Sequence, residues 1–311
     1  MRCGARMPRQ GAAIAILALI AAGCSSPPKA PTADPTASAG GTAPTATGTV
    51  SSSPSARPKG ISPFASLASY LSHREGTITA AVYDKRTGRF WVWNGRARED
   101  TASIVKVEIM GTALREAESA GTPLPAAEQA LIPPMIENSD NDAATTMLAK
   151  VGGPGAVTRF DRLAGLTHTT VSTLALIPGT SLPGWGLTKT TALDEVRLVS
   201  RFAYPNAILS STDRGYGLDL MEHVESDQAW GVSGGVPAGV TVALKNGWLP
   251  HNLAADSDWQ VNSIGWIFGH GRDYVLAVLT NHSPSQAYGE ETIGAIAGKM
   301  FAELGPGSAR S

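Results

Sequence analysis

β-Rich runs occupy both ends of the folding part of this chain, and helical runs fill its middle. Thr77–Tyr83 and Phe90–Trp93 read as strands, with Asp84-Lys85-Arg86-Thr87-Gly88 as the hairpin turn between them. Val240–Leu244, Gln260–Phe268 and Tyr274–Thr280 are β-rich again, and Gly269-His270-Gly271-Arg272-Asp273 reverses the chain between the last two. Residues 103–120, 126–136, 142–151, 154–164 and 190–203 carry helical spacing. In the first of these, Val107, Met110, Ala113, Leu114 and Ala117 form one apolar stripe. Helices over 63–73 and 288–304 close the two ends. Strands flanking a helical block predict an α/β fold of the α+β kind: one antiparallel sheet drawn from both ends, with an all-helical lobe inserted. Functional sites favour the seam between two such lobes.

The fold begins near residue 61. Residues 25–60 contain 31 Ser, Pro, Thr, Ala or Gly among 36 positions, broken by Lys29, Asp34, Val50, Arg57 and Lys59. No hydrophobic period runs through them, so they build no core and read as a tether. As a coil, such a tether reaches on the order of 30–40 Å. Upstream, Arg2, Arg6 and Arg9 precede the uncharged run Gly11–Ala22, too short for a bilayer span and right for an export signal. It ends in Ala21-Ala22-Gly23-Cys24, which resembles the lipobox of bacterial lipoproteins, with Ala21 where Leu is more usual. That resemblance implies a signal over 1–23, lipidation at Cys24 and a membrane contact made through the lipid alone. An ordinary signal cut near Ala22, giving a secreted protein, is the alternative. The expected organisation is signal 1–23, anchor and disordered linker 24–60, folded domain 61–304 and a short disordered tail 305–311.

Cys3 and Cys24 are the two cysteines of the chain, so the domain has neither a disulfide nor a thiol nucleophile. The net charge of −1 is a cancellation between +5 over residues 1–60 and −6 over the rest. An acidic domain offers nothing to nucleic acid. His73, His168, His223, His251, His270 and His282 are scattered, and no phosphate-cradling loop is present, so no metal or cofactor is expected.

Two serine-nucleophile patterns compete. Gly231-Val232-Ser233-Gly234-Gly235 matches the nucleophile elbow, which needs a helix after it. Pro237 and Gly239 follow instead, then a strand, so the run reads as a turn. Ser103-Ile104-Val105-Lys106 opens a helix, and i and i+3 share a face. A desolvated lysine there can act as base for the hydroxyl, and a helix start offers N–H groups to an oxyanion.

Ser139-Asp140-Asn141 opens a later helix, and Lys245-Asn246-Gly247 ends a strand. S-x-x-K, S-D-N and a K-T-G-like triplet in this order resemble class A β-lactamases and penicillin-binding proteins, over about residues 61–304, with Asn246 in the Thr place. The strand and helix order agrees with the two-lobed fold that the resemblance implies. It assigns nucleophile to Ser103, acylation base to Lys106 and proton relay to the leaving nitrogen to Ser139. It places Asn141 on the substrate amide, Lys245 on the substrate carboxylate beside Asn246 and Gly247, and the Trp248 N–H in the oxyanion hole with that of Ser103. Lys245 is the only Lys or Arg between Gly215 and Gly271.

Three departures bear on function. Class A enzymes carry a loop Glu that activates the deacylating water, yet Arg162–Leu193 holds no Asp or Glu. Asp161 and Asp194 flank that stretch in predicted helices, and Glu137 is a remote substitute. No Arg follows on the strand after Gly247 to add a carboxylate clamp. Only 36 positions separate Ser103 from Ser139, which predicts a more open cleft, with Trp185 and Trp248 as candidate walls. The expected protein is a monomeric serine hydrolase acylated on Ser103 by a β-lactam or a peptidoglycan-peptide-like amide, with slow release. A D-Ala-D-Ala carboxypeptidase and a non-catalytic ligand-binding lipoprotein remain the rivals.

Overall fold

Thr77–Asp84 (β1) and Arg89–Trp93 (β2) form the expected hairpin in the computed structural model, which describes residues 62–252 and 257–306. The signal, Cys24, the linker through residue 60 and the tail from residue 307 lie outside the described residues. Glu99–Asp100 (β3) and Lys189–Thr190 (β4) pair as a small separate ribbon. Thr241–Asn252 (β5), Ser257–Gly269 (β6) and Arg272–Ser283 (β7) complete the main sheet, in the order β2-β1-β7-β6-β5. All its pairings are antiparallel, and β1 meets β7 from Thr77 opposite Asn281 to Asp84 opposite Tyr274. The two ends of the domain therefore share one sheet, as their β-rich composition predicted.

The helical elements follow the apolar spacing. A 3-10 turn, Pro63–Leu67, leads into Ala68–Ser72 (α1). Val105–Ala120 (α2) ends at Gly121 in the left-handed conformation (φ 64°). Ala126–Gln129 (α3), Ile132–Glu137 (α4), Asn141–Lys150 (α5), Pro154–Ala164 (α6), Ala192–Ala203 (α7) and Ser211–Glu222 (α8) follow, and Gln286–Glu303 (α9) closes the chain. Among the described residues no helix is long and apolar enough to cross a membrane.

Two-residue alternation along the strands sorts side chains into two cores. Ala81, Val275, Ala277, Leu279, Ile264 and Ala243 face the helical lobe and pack with α2 and α4–α8. Ala80, Val82, Leu276, Val278, Val261 and Leu244 face the other way, onto α1 and α9. Strands β1, β6 and β7 are thus covered on both faces, whereas the edge strand β2 leaves Phe90 and Val92 exposed.

The structure departs from the sequence expectation chiefly at three places. The run 126–136 is two helices, because Pro133 and Pro134 cannot continue one and instead start α4. Helix α8 carries little sequence signal because Gly215 and Gly217 depress helix propensity. Gly217 is required by packing, since a Cβ there would lie 2.6 Å from the Phe202 ring. Finally, Lys245-Asn246-Gly247 does not end a strand but lies in the middle of β5. Asn-Gly is a strong turn signal, yet pairing with β6 continues through it, Asn246 opposite Ser263 and Gly247 opposite Asn262. Pro250 is tolerated beyond because β5 is an edge strand.

Candidate active site

Ser103 sits in the 3-10 turn Ala102–Ile104 that opens α2. Three contacts hold this turn. Asn262 of β6 donates through Nδ2 to the carbonyls of Asp100 (2.8 Å) and Thr101 (3.0 Å). The Thr101 N–H donates to the Thr188 carbonyl at 2.8 Å. Gly247 brings β5 against the turn so closely that a Cβ would lie 2.6 Å from the Ser103 nitrogen. Ala102 pays with a left-handed backbone (φ 46°), unusual for alanine.

Lys106, one helical turn after Ser103, is fully buried. Its Nζ lies 2.9 Å from Ser103 Oγ, 2.6 Å from the Ser139 carbonyl, 3.0 Å from Ser139 Oγ and 2.8 Å from Asn141 Oδ1. All four partners are neutral. Burial first, then the neighbouring Lys245 charge, lowers its pKa to about 6, with Asp140 pulling the other way. A neutral amine has two hydrogens and a lone pair. The Ser139 carbonyl and Asn141 Oδ1 only accept, so they take the two hydrogens and leave the lone pair to the hydroxyl protons of Ser103 and Ser139.

The Ser139-Asp140-Asn141 run explains itself locally. Asp140 caps α5, accepting from the Ala143 N–H at 2.7 Å, and Asn141 is the first helical residue. Ser139, before the cap, adopts φ 56°. Its Oγ lies between two amines, 3.0 Å from Lys106 Nζ and 2.9 Å from Lys245 Nζ. Lys245 is fully buried and its pKa is lowered to about 7 by burial. The expectation of a lone cation at a strand end is thus overturned: Lys245 lies mid-strand, inside the seam between the lobes.

Ser103, Lys106, Ser139, Asn141 and Lys245 are therefore joined by hydrogen bonds, and Gly247 abuts Ser103. Asn246 is not brought to this cluster. Alternation along β5 sends Lys245 and Gly247 to the helical lobe and Asn246 to the opposite face. There its Nδ2 donates to the carbonyls of Gln228 (2.7 Å) and Trp230 (3.0 Å). Trp248 shares that face and packs on Trp230, with ring centroids 5.9 Å apart. Its backbone, next to Gly247, runs beside the Ser103 turn. The indole of Trp185, a candidate cleft wall, lies beside Lys106, with the ring centroid 4.9 Å from Nζ.

None of the Lys106 or Ser139 hydrogen bonds goes to Glu137, Asp161 or Asp194. Asp194 binds Arg197 (2.7 Å) and the His168 N–H (2.6 Å). Asp161 is buried, and with the buried Glu108 and Glu195 it forms a cluster of neighbouring carboxyls. Burial first, then neighbouring carboxyls, raises Asp161 to about 7 and Glu108 well above the usual range. Glu108 follows Lys106 by two residues on α2, so the two point to different faces. Ser233 stays in a turn, donating to the Ala229 carbonyl at 2.8 Å. The glycines beside it serve packing: Cβ atoms at Gly234 and Gly235 would lie 2.6 and 2.7 Å from the Cα atoms of Gly294 and Gly298 on α9.

A sequence model of the beta-lactamase enzyme family matches residues 127–304, more than half of the chain. The chain belongs to the beta-lactamase enzyme family. Among its relatives, LppW of Mycobacterium tuberculosis, named as a lipoprotein, is 29% identical over 239 residues, covering 72% of this chain and 69% of LppW. The beta-lactamase Toho-2 of Escherichia coli is 29% identical over 175 residues, covering 54% of this chain and 55% of Toho-2. The crystal structure of the TLA-1 extended-spectrum beta-lactamase superposes with a TM-score of 0.68 at 20% identity, over 78% of this chain and 98% of that one. The two-lobed α/β architecture is thus that of the class A beta-lactamases, as the three motifs implied. Within this beta-lactamase fold, the sequence could not reveal that Trp185 meets Lys106, because no motif marks it.

Proposed function

We propose that the protein is a lipid-anchored, extracytoplasmic serine hydrolase that is acylated on Ser103 by a carboxylate-bearing amide of the β-lactam or D-alanyl-peptide type, and releases the acyl group slowly. The observation that carries the reading is the hydrogen-bonded chain Ser103–Lys106–Ser139–Lys245, built around an amine poised to be neutral. Ser103 Oγ attacks the carbonyl carbon while its proton passes to Lys106 Nζ. The developing oxyanion is received by the N–H groups of Ser103 and Trp248. Ser139 Oγ then passes a proton to the leaving nitrogen and is replenished from Lys106. Asn141 and Lys245 hold the substrate amide and carboxylate at the two ends of this chain.

Slow release follows from the composition of the loop. No carboxylate occurs from Arg162 to Leu193, and the flanking Asp194 is engaged elsewhere. A missing general base costs about 10²–10⁴ in rate. The lipoprotein name of LppW and the Cys24 motif support anchoring.

Intact mass after incubation with benzylpenicillin tests the reading. A stable adduct, lost in Ser103→Ala, is expected, with turnover of a chromogenic cephalosporin far below that of a class A enzyme. Rapid turnover refutes slow release. No adduct, but cleavage of a D-Ala-D-Ala peptide, assigns a carboxypeptidase; neither result leaves a binding protein. Labelling by radioactive palmitate, lost in Cys24→Ala, tests the anchor.

A further inference from the structure

One aromatic ring packs against Lys106 in addition to its four hydrogen-bond partners. Trp185 is 6% exposed, and its ring centroid lies 4.9 Å from Lys106 Nζ. The indole is fixed in orientation. Its Nε1–H donates to Thr145 Oγ1 at 3.1 Å, and that hydroxyl donates to the Asn141 carbonyl at 2.8 Å. The loop that carries the ring is fixed as well. Gly184 N–H donates to the Ala175 carbonyl (3.0 Å), Thr188 N–H to the Trp185 carbonyl (3.1 Å) and Thr101 N–H to the Thr188 carbonyl (2.8 Å). A Cβ at Gly184 would run into the Leu174 carbonyl, so only glycine permits this closure. Gly186 lies against Ala102, the residue before Ser103.

The charged groups facing Lys106 are few. Lys245 reaches in from β5, and Asp140 acts from the α5 cap, where its carboxylate is engaged by Ala143. The loop itself contributes no acid. We propose that Trp185 is a positioning residue whose indole keeps Lys106 dry against Ser103 and closes that side of the Ser103 ester to water. This rests on the acylation of Ser103 proposed above and names the group that limits its reversal.

The chemistry of release shows why. Water oxygen must bond to the acyl carbon, one water proton must pass to an amine or carboxylate, and the carbon–Oγ bond must break with a proton returned to Ser103. An indole face offers no lone pair to orient that water, and the one N–H of the ring is already given to Thr145. The ring face attracts an ammonium, but exclusion of water disfavours the charge more strongly in a site this buried. Opening the ring position therefore readmits water both to the amine and to the ester.

The test compares the parent with Trp185→Ala and Trp185→Phe by two readouts. One is the pH titration of Lys106, followed by NMR of protein labelled with 13Cε-lysine. The other is the lifetime of the benzylpenicillin adduct, followed by intact mass after excess ligand is removed. In Trp185→Ala the Lys106 midpoint should rise by about one pH unit, a tenfold gain in proton affinity, and the adduct lifetime should shorten about tenfold or more. Trp185→Phe, which keeps a ring, should stay closer to the parent than Trp185→Ala on both. A folded Trp185→Ala with the parent midpoint and lifetime overturns the proposal. If Trp185→Ala does not fold, Thr145→Val frees the indole instead, and an unchanged adduct lifetime there overturns it equally. If the parent forms no adduct, the acylation reading falls, while the Lys106 titration still decides the role of Trp185.

Discussion

Replacing Gly247 by alanine puts a methyl group 2.6 Å from the Ser103 nitrogen, 2.8 Å from the Thr101 oxygen and 2.9 Å from the Ile104 nitrogen. All three are backbone atoms of one turn, so no side chain can swing aside. Ordinary contact is about 3.5–4.0 Å, so strand and turn must part by roughly 1 Å. The turn is not free to recoil, because Asn262 holds the Asp100 and Thr101 carbonyls and Thr188 holds the Thr101 amide. Overpacking of this kind costs about 1–3 kcal/mol, and each kcal/mol lowers Tm by roughly 2–4 °C in a domain of this size. The same displacement carries Ser103 Oγ away from Lys106 Nζ, and a misplacement of about 1 Å can cost about 10²-fold in rate. Labelling with a fluorescent penicillin, measured as a rate beside a thermal melt, tests both effects. Gly247→Ala should fold with Tm lowered by several degrees and should label about 100-fold more slowly. Labelling at the parent rate would mean that the close approach of β5 at Gly247 does not set Ser103.

Labelling of the parent should rise with pH as Lys106 gives up its proton, reaching half its plateau near the Lys106 value of about 6; a rate still climbing steadily above pH 9 would exclude Lys106 as base. Lys245→Ala should move that midpoint upward, because a like charge beside Lys106 is removed. Asn246→Ala should lower stability by about 1–3 kcal/mol in a thermal melt, by orphaning the Gln228 and Trp230 carbonyls; a loss of labelling with Tm unchanged would instead make Asn246 a substrate contact. Burial raises the Glu195 pKa from 4.5 to about 8, so the folded state holds this proton more tightly than the unfolded chain. That contribution is complete below 4.5 and is lost as pH rises through about 8. Across that window Tm should drop more, or rise less, in the parent than in Glu195→Gln; identical profiles would assign the pH dependence to other groups.

Much of this protein is legible in its residues because the decisive signals are local. Two-residue and helical periods need only near neighbours, so the strands at both ends and the helical block between them were readable. Ser103 and Lys106 share a helix face by spacing alone, and Asp140 marks a helix start by its capping chemistry. The absence of acids from Arg162 to Leu193 is likewise a fact of the sequence. What tertiary structure decided is wherever distant segments compete with local preference. Pairing with β6 carried β5 through the turn-like Asn246-Gly247, and the resulting alternation turned Lys245 into the site and Asn246 out of it. Burial, which no local spacing encodes, lowered the Lys106 pKa and drew Trp185 over its amine. The sequence by itself determined which groups are available for chemistry. Packing across the seam determined which of them meet, and in which protonation state, because desolvation and close approach arise only when helices and sheet enclose a volume together.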